Sequence, residues 1–208
     1  MDFLKDIKFK ENEPTEVRTH SFREVNLCAN IPTRFSDTVL GDFGTEIENE
    51  VKDFATAFNN DGVMLISGSV GVGKTTLLCG ALHERDIQGR SCGEYLSCRM
   101  LCAKIRTSRS FSAKINEEDL LKHFATVPFL CIDELGKAED SEQERLFICN
   151  ILASRYDNML PTMISTNMSA SQVKDFILGP NGSGNDILDR LSSVMQFKSI
   201  KGESFRCK

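Results

Sequence analysis

At 208 residues with 40% hydrophobic content, the chain is long enough for one α/β core and too short for two comfortable domains. Its net charge of -5 excludes a whole-protein attraction to nucleic acid, so any such contact must come from a local patch. There is no signal peptide and no apolar stretch of membrane length, so the protein is expected to be cytoplasmic, with no membrane partner. The eight cysteines include no C-x2-C pair. Several sit inside apolar runs, as Cys131 does in Phe129-Leu130-Cys131-Ile132, and they read as buried thiols of a reducing compartment.

Residues 1 to 44 are polar and read as an extended or partly helical arm. Ile47, Val51, Phe54, Ala55 and Phe58 then fall at helical spacing, with Thr45 as N-cap and Asn60-Asp61-Gly62 as the stop. The apolar run Val63-Met64-Leu65-Ile66 predicts a strand. Directly after it comes Gly68-Ser69-Val70-Gly71-Val72-Gly73-Lys74-Thr75. Glycines let this backbone curl so that successive N–H groups point at an anion, Lys74 can reach the β- and γ-phosphates, and Thr75 can hold Mg²⁺. A helix from Lys74 to about Asp86 adds its positive N-terminal dipole. The candidate nucleotide-binding residues are therefore Gly68, Ser69, Val70, Gly71, Val72, Gly73, Lys74, Thr75 and Thr76, with ATP and Mg²⁺ as the expected cofactors. A strand near Gly93 to Ser97 follows and completes a predicted right-handed βαβ unit.

A helix from about Cys98 to Arg109 carries most of a basic cluster, Arg99, Lys104, Arg106, Arg109 and Lys114, with no acid between them. This is either a solvated helix face or a polyanion-binding patch. Asn116 opens another helix through Phe124, Ser141-x-x-Glu144 is a capping box for a long one to about Tyr156, and Ser169 to Ile177 forms the next. A flexible loop from Gly179 to Gly184, a short helix through Leu191 and a last strand near Val194 to Phe197 close the series. The apolar runs at 63 to 66, 129 to 132 and 162 to 166 suit central parallel strands covered on both faces.

Phe129-Leu130-Cys131-Ile132-Asp133-Glu134 is an apolar strand ending in two acids, placed where parallel sheets bind nucleotides. Asp133 is a candidate Mg²⁺ ligand beside Thr75, and Glu134 can orient or deprotonate an attacking water. Asn167, at the end of the strand Thr162 to Thr166, can reach a γ-phosphate and that water with its amide and carbonyl. Spacing alone leaves Arg190 and Arg206 as surface ion-pair partners.

Taken together, Gly68 to Thr75, Ile132-Asp133-Glu134-Leu135-Gly136, Pro161-Thr162 through Thr166-Asn167, Asp189-Arg190-Leu191 and the closing Gly-x-Ser-x-Arg resemble the AAA+ ATPases of the DnaC/DnaI helicase-loader and IstB group. The resemblance implies an α/β fold of P-loop NTPase (AAA+) type, a three-layer sandwich on a mainly parallel sheet. It also implies that Arg190 acts as an arginine finger on a neighbouring subunit's ATP, that Arg206 is a sensor in its own site, and that Ile31 packs the adenine. The cluster from Arg99 to Lys114 then corresponds to a single-stranded DNA path. The expected organisation is a short arm over residues 1 to 30, with Phe3, Leu4 and Ile7 as a docking stripe, and an ATPase domain over 31 to 208 with no separate C-terminal lid. The implied function is ATP-dependent loading of a DnaB-type replicative helicase onto single-stranded DNA by subunits self-associated in a ring or spiral. The competing reading is an IstB-like transposition helper that assembles on duplex DNA.

Overall fold

A computed structural model describes residues 29–41, 45–57, 60–91, 93–110, 113–137, 142–202 and 204, leaving aside the side chain of Glu144. Four of the helices begin where polar side chains answer the orphan N–H groups of a first turn. In α1 (Glu46–Thr56) Glu48 Oε2 accepts the Thr45 N–H at 2.9 Å. Past its end, Asn60 donates to Phe54 O at 2.6 Å and accepts the Gly62 N–H, which turns the chain into β1 (Val63–Gly68). Phe58 lies outside the described residues. Next come α2 (Lys74–Ile87), β2 (Glu94–Ser97) and α3 (Cys98–Ser108), whose N-cap Ser97 accepts the Met100 N–H. Asn116 caps α4 (Glu117–Thr126) by accepting the Asp119 N–H at 2.8 Å, with three acids in the first turn facing the positive helix end. β3 (Leu130–Leu135) and α5 (Glu142–Asp157) follow. The capping box expected at Ser141 and Glu144 lies outside the described residues. β4 (Thr162–Thr166), the Ser169-capped α6 (Ala170–Leu178), α7 (Asn185–Ser192) and β5 (Met195–Ile200) complete the described chain.

The five strands form one all-parallel sheet in the order β2-β3-β4-β1-β5. β1 and β2 are parallel as the βαβ reading requires, but β4 and β3 stand between them, so the crossover through α2 spans the sheet centre. The apolar runs of β1, β3 and β4 take the three central places, where both faces need cover. Alternation along each strand sorts the core into two layers. Val63, Leu65, Leu130, Ile132 and Ile164 pack under α3 to α7, whereas Met64, Ile66, Cys131 and Met163 pack under α1 and α2. Ala29, Ile31 and Leu40 join the second layer, so residues 29–41 lie on the body of the domain. Ala29 O accepts the outward-facing Tyr95 N–H at 2.7 Å and closes part of the β2 edge.

One charged side chain is wholly internal. Arg155 donates to Phe124 O, Val127 O, Pro161 O and Thr162 Oγ1 at 2.7–2.8 Å, joining the end of α4 and the start of β4 to α5. Burial pulls its guanidinium down to about 9, and the four accepting oxygens are what make the buried cation tolerable.

Candidate functional site

The glycine loop, Asp133, Glu134 and Asn167 sit at the carboxyl edge of the sheet. The loop between β1 and α2 holds Gly71 at φ 87° and Gly73 at φ 93°, left-handed positions that glycine adopts without strain and that turn backbone N–H groups into an anion-binding nest. A Cβ on Gly71 would fall 2.1 Å from Ser204 Oγ, so the turn has no room for a side chain there. Lys74, at the first position of α2, donates from Nζ to Gly68 O and Ser69 O at 2.8 Å each, which folds the ammonium over the loop. Val70, Gly71, Gly73, Lys74, Thr75 and Thr76 line one cleft with Asp133, Glu134 and Asn167.

Asp133 is the hub of that cleft. Its Oδ2 accepts Thr75 Oγ1 at 2.8 Å and the Tyr95 hydroxyl at 2.7 Å, and its Oδ1 accepts the Ser165 hydroxyl. Asp133 is 3% exposed. Thr75 and Asp133 thus bring hydroxyl and carboxylate oxygens together, the hard donor set that magnesium takes along with phosphate oxygens and water. Among the described residues no group of three His, Cys, Asp or Glu side chains forms a metal cage. Burial and the Asp133 charge push the Tyr95 phenol and the Cys79 thiol far up, so both stay protonated beside the carboxylate.

Two successive strand residues should point to opposite faces, yet both acids line the cleft. The register explains this: Ile132 pairs with Ile164 and Leu135 with Thr166, so β3 advances three residues while β4 advances two. The extra residue is a β-bulge, with Glu134 at φ 62°. Leu135 consequently returns to the core layer that holds Ile132, and Glu134 is freed from the sheet face. Its N–H donates to Ser165 Oγ at 3.0 Å, and its carboxylate meets Lys137 Nζ at 2.6 Å. Asn167 is placed by Thr166, whose hydroxyl donates to Leu135 O and accepts the Met168 N–H, clamping the two strand ends together.

Other expected residues lie elsewhere. Ile31 is 6% exposed in the layer under α2 and does not line the cleft; Arg34 and Phe35, in the turn that follows it, do. Arg190 stands on α7, away from the cleft, with Nη1 3.0 Å from both oxygens of Asp157 at the end of α5. Arg206 and the docking stripe Phe3, Leu4 and Ile7 lie outside the described residues. The five cations of the basic cluster are all exposed, but Arg109 is held by Glu117 at 2.7 and 2.9 Å and by Gln143. Lys104 and Lys114 border a groove floored by Met100, Ile115 and Leu120. Sequence reasoning missed Arg34, Phe35, Tyr95, Lys137 and Ser165. Of these only Ser165 left a trace, as a hydroxyl inside an otherwise apolar strand.

A family model described as IstB-like ATP binding protein matches residues 43–208. The chain belongs to this family. As an IstB-like chain, it is 26% identical over 132 residues to the replicative helicase loader DnaC of Escherichia coli (strain K12), covering 64% of this chain and 51% of the relative. It is 30% identical over 144 residues to an ATP-binding protein of insertion sequence IS232 from Bacillus thuringiensis subsp. berliner, covering 68% of this chain and 54% of that protein. The chain spans about half the length of these curated relatives. Among solved structures, DnaI superposes with a TM-score of 0.66 at 19% identity over 82% of this chain and 94% of that one. The DnaC helicase loader does so with 0.66 at 22% over 82% and 100%. The IstB-like family thus supplies nucleotide binding at family level, and these neighbours share its all-parallel P-loop α/β fold. No described helix is long and apolar enough to cross a membrane.

Proposed function

We propose that the chain is a cytoplasmic, ATP-hydrolysing helicase loader whose active site is completed between subunits. The convergence of Thr75, Asp133, Glu134 and Asn167 on one cleft carries this reading, because a pure nucleotide switch has no need of a water-positioning pair. Thr75 and Asp133 would hold Mg²⁺, which would neutralise charge on the β- and γ-phosphates. The loop N–H groups and Lys74 bind the triphosphate, and ATP draws the Lys74 ammonium away from Gly68 O and Ser69 O. Glu134 takes the proton of the attacking water, and Asn167 fixes that water against the γ-phosphate. Arg190, exposed and remote from its own cleft, acts on the ATP of the adjoining subunit, and Arg206 acts in its own site. Ile31 supports the adenine-binding segment, and Arg34 and Phe35 present that segment to the cleft.

On this reading residues 1 to 30 dock a DnaB-type replicative helicase and residues 31 to 208 form the ATPase domain. Subunits assemble in a ring or spiral, and Arg99, Lys104, Arg106 and Lys114 contact single-stranded DNA, with Arg109 a weaker contributor because Glu117 holds it. Lys74→Ala abolishes ATP binding or turnover. Arg190→Ala leaves binding intact and lowers DNA-stimulated hydrolysis by about 10³-fold or more; normal hydrolysis by an assembled Arg190→Ala protein would falsify the interface assignment. The similarity to an insertion-sequence ATP-binding protein favours a second reading, a transposition helper on duplex DNA. Affinity for single-stranded and duplex DNA at matched salt separates the two, since the phosphate contribution is strongly salt-dependent. A clear duplex preference decides for the helper.

A further inference from the structure

We propose that Tyr95 is a positioning residue for the Asp133 carboxylate, holding it in the orientation in which it meets the metal; this rests on the reading of Asp133 as a Mg²⁺ ligand. Tyr95 lies on β2, two residues short of the position opposite Asp133 in the pairing with β3. It is 5% exposed, and its hydroxyl donates to Asp133 Oδ2 at 2.7 Å in a wholly buried contact. The chain uses Phe fourteen times and Tyr twice, so the hydroxyl at this core position is not a default of its aromatic content. A phenylalanine would fill the same volume and bury one polar atom fewer.

The division of labour around the carboxylate gives that hydroxyl its purpose. Asp133 accepts three hydroxyls from three elements: Thr75 on α2, Tyr95 on β2 and Ser165 on β4. The Thr75 hydroxyl would present its oxygen to the metal while its O–H still donates to Oδ2. Tyr95 and Ser165, one on each oxygen, face no such second demand and together fix the carboxylate plane. Ser165 also accepts the Glu134 N–H, so it is tied to the bulge as well, whereas the Tyr95 hydroxyl donates to Asp133. Groups that orient a metal ligand typically matter about 10- to 100-fold in metal affinity.

The test is a Mg²⁺ titration of fluorescent ATP-analogue binding to the full chain. Tyr95→Phe raises the half-saturating Mg²⁺ concentration about tenfold and leaves nucleotide affinity in EDTA unchanged, with Ser165→Ala shifting the midpoint in the same direction. A wild-type midpoint for Tyr95→Phe overturns the proposal, as does an equal loss of affinity in EDTA, which would mark general damage to the fold. Asp133→Asn separates the two levels: if it leaves the midpoint unmoved the metal reading itself fails, and if it moves the midpoint while Tyr95→Phe does not, only the role of Tyr95 fails.

Discussion

Glu134 occupies a backbone conformation that costs an L-residue roughly 1–2 kcal/mol, at φ 62° in the bulge of β3. Glycine removes that cost and loses part of the gain to the greater freedom of the unfolded chain. Glu134→Gly is therefore expected to keep or raise stability by up to about 1 kcal/mol while eliminating hydrolysis, whereas Glu134→Val loses both. Urea unfolding and phosphate release on the same preparations check this, and a Glu134→Gly protein much less stable than the parent contradicts it. The residues of the cradle and the two acids were legible in sequence because their chemistry needs fixed spacing along one segment. Tyr95 and Ser165 were not, since their roles depend on which strands become neighbours, and Tyr95 meets Asp133 across 38 positions of chain. Nor did spacing reveal the bulge: Ile132-Asp133-Glu134-Leu135 reads as a regular strand until its register against β4 is known.

Elements announced themselves where their signal was local. Asn116 and Ser169 start helices as their side chains predict, and Pro161 precedes β4. The strand order was hidden, because right-handed crossovers allow β1 and β2 to be neighbours or to be separated, and only the competition of the apolar runs for the sheet centre decides. Arg155 shows what joins elements once they are placed. It serves three backbone carbonyls and Thr162 with no exposed surface. Arg155→Ala strands those acceptors and opens a cavity, with an expected loss of at least about 3 kcal/mol. Equilibrium denaturation with an unchanged slope measures it, and a loss under about 1 kcal/mol would show that water replaces the guanidinium.

Across the whole molecule, the two packed layers leave the described thiols no access to solvent. Cys79, Cys98, Cys102, Cys131 and Cys149 are buried, and burial drives Cys149 up to about 11 and pushes Cys131 well above the ordinary thiol value. A thiol reagent at neutral pH should titrate at most three of the eight cysteines in the folded protein and all of them after denaturation; more than three fast equivalents would contradict the packing. Length and hydrophobic content anticipated an α/β core, and the uneven placing of basic residues on α3 anticipated their exposure. The edge of the sheet adds something that composition could not. Tyr95 donates outward through its N–H to Ala29 O and inward through its hydroxyl to Asp133, while Asn30 grips Glu94 beside it at 3.0 Å. Tension applied to the chain ahead of Ala29 would thereby reach β2 at the residue whose hydroxyl holds the Asp133 carboxylate of the cleft.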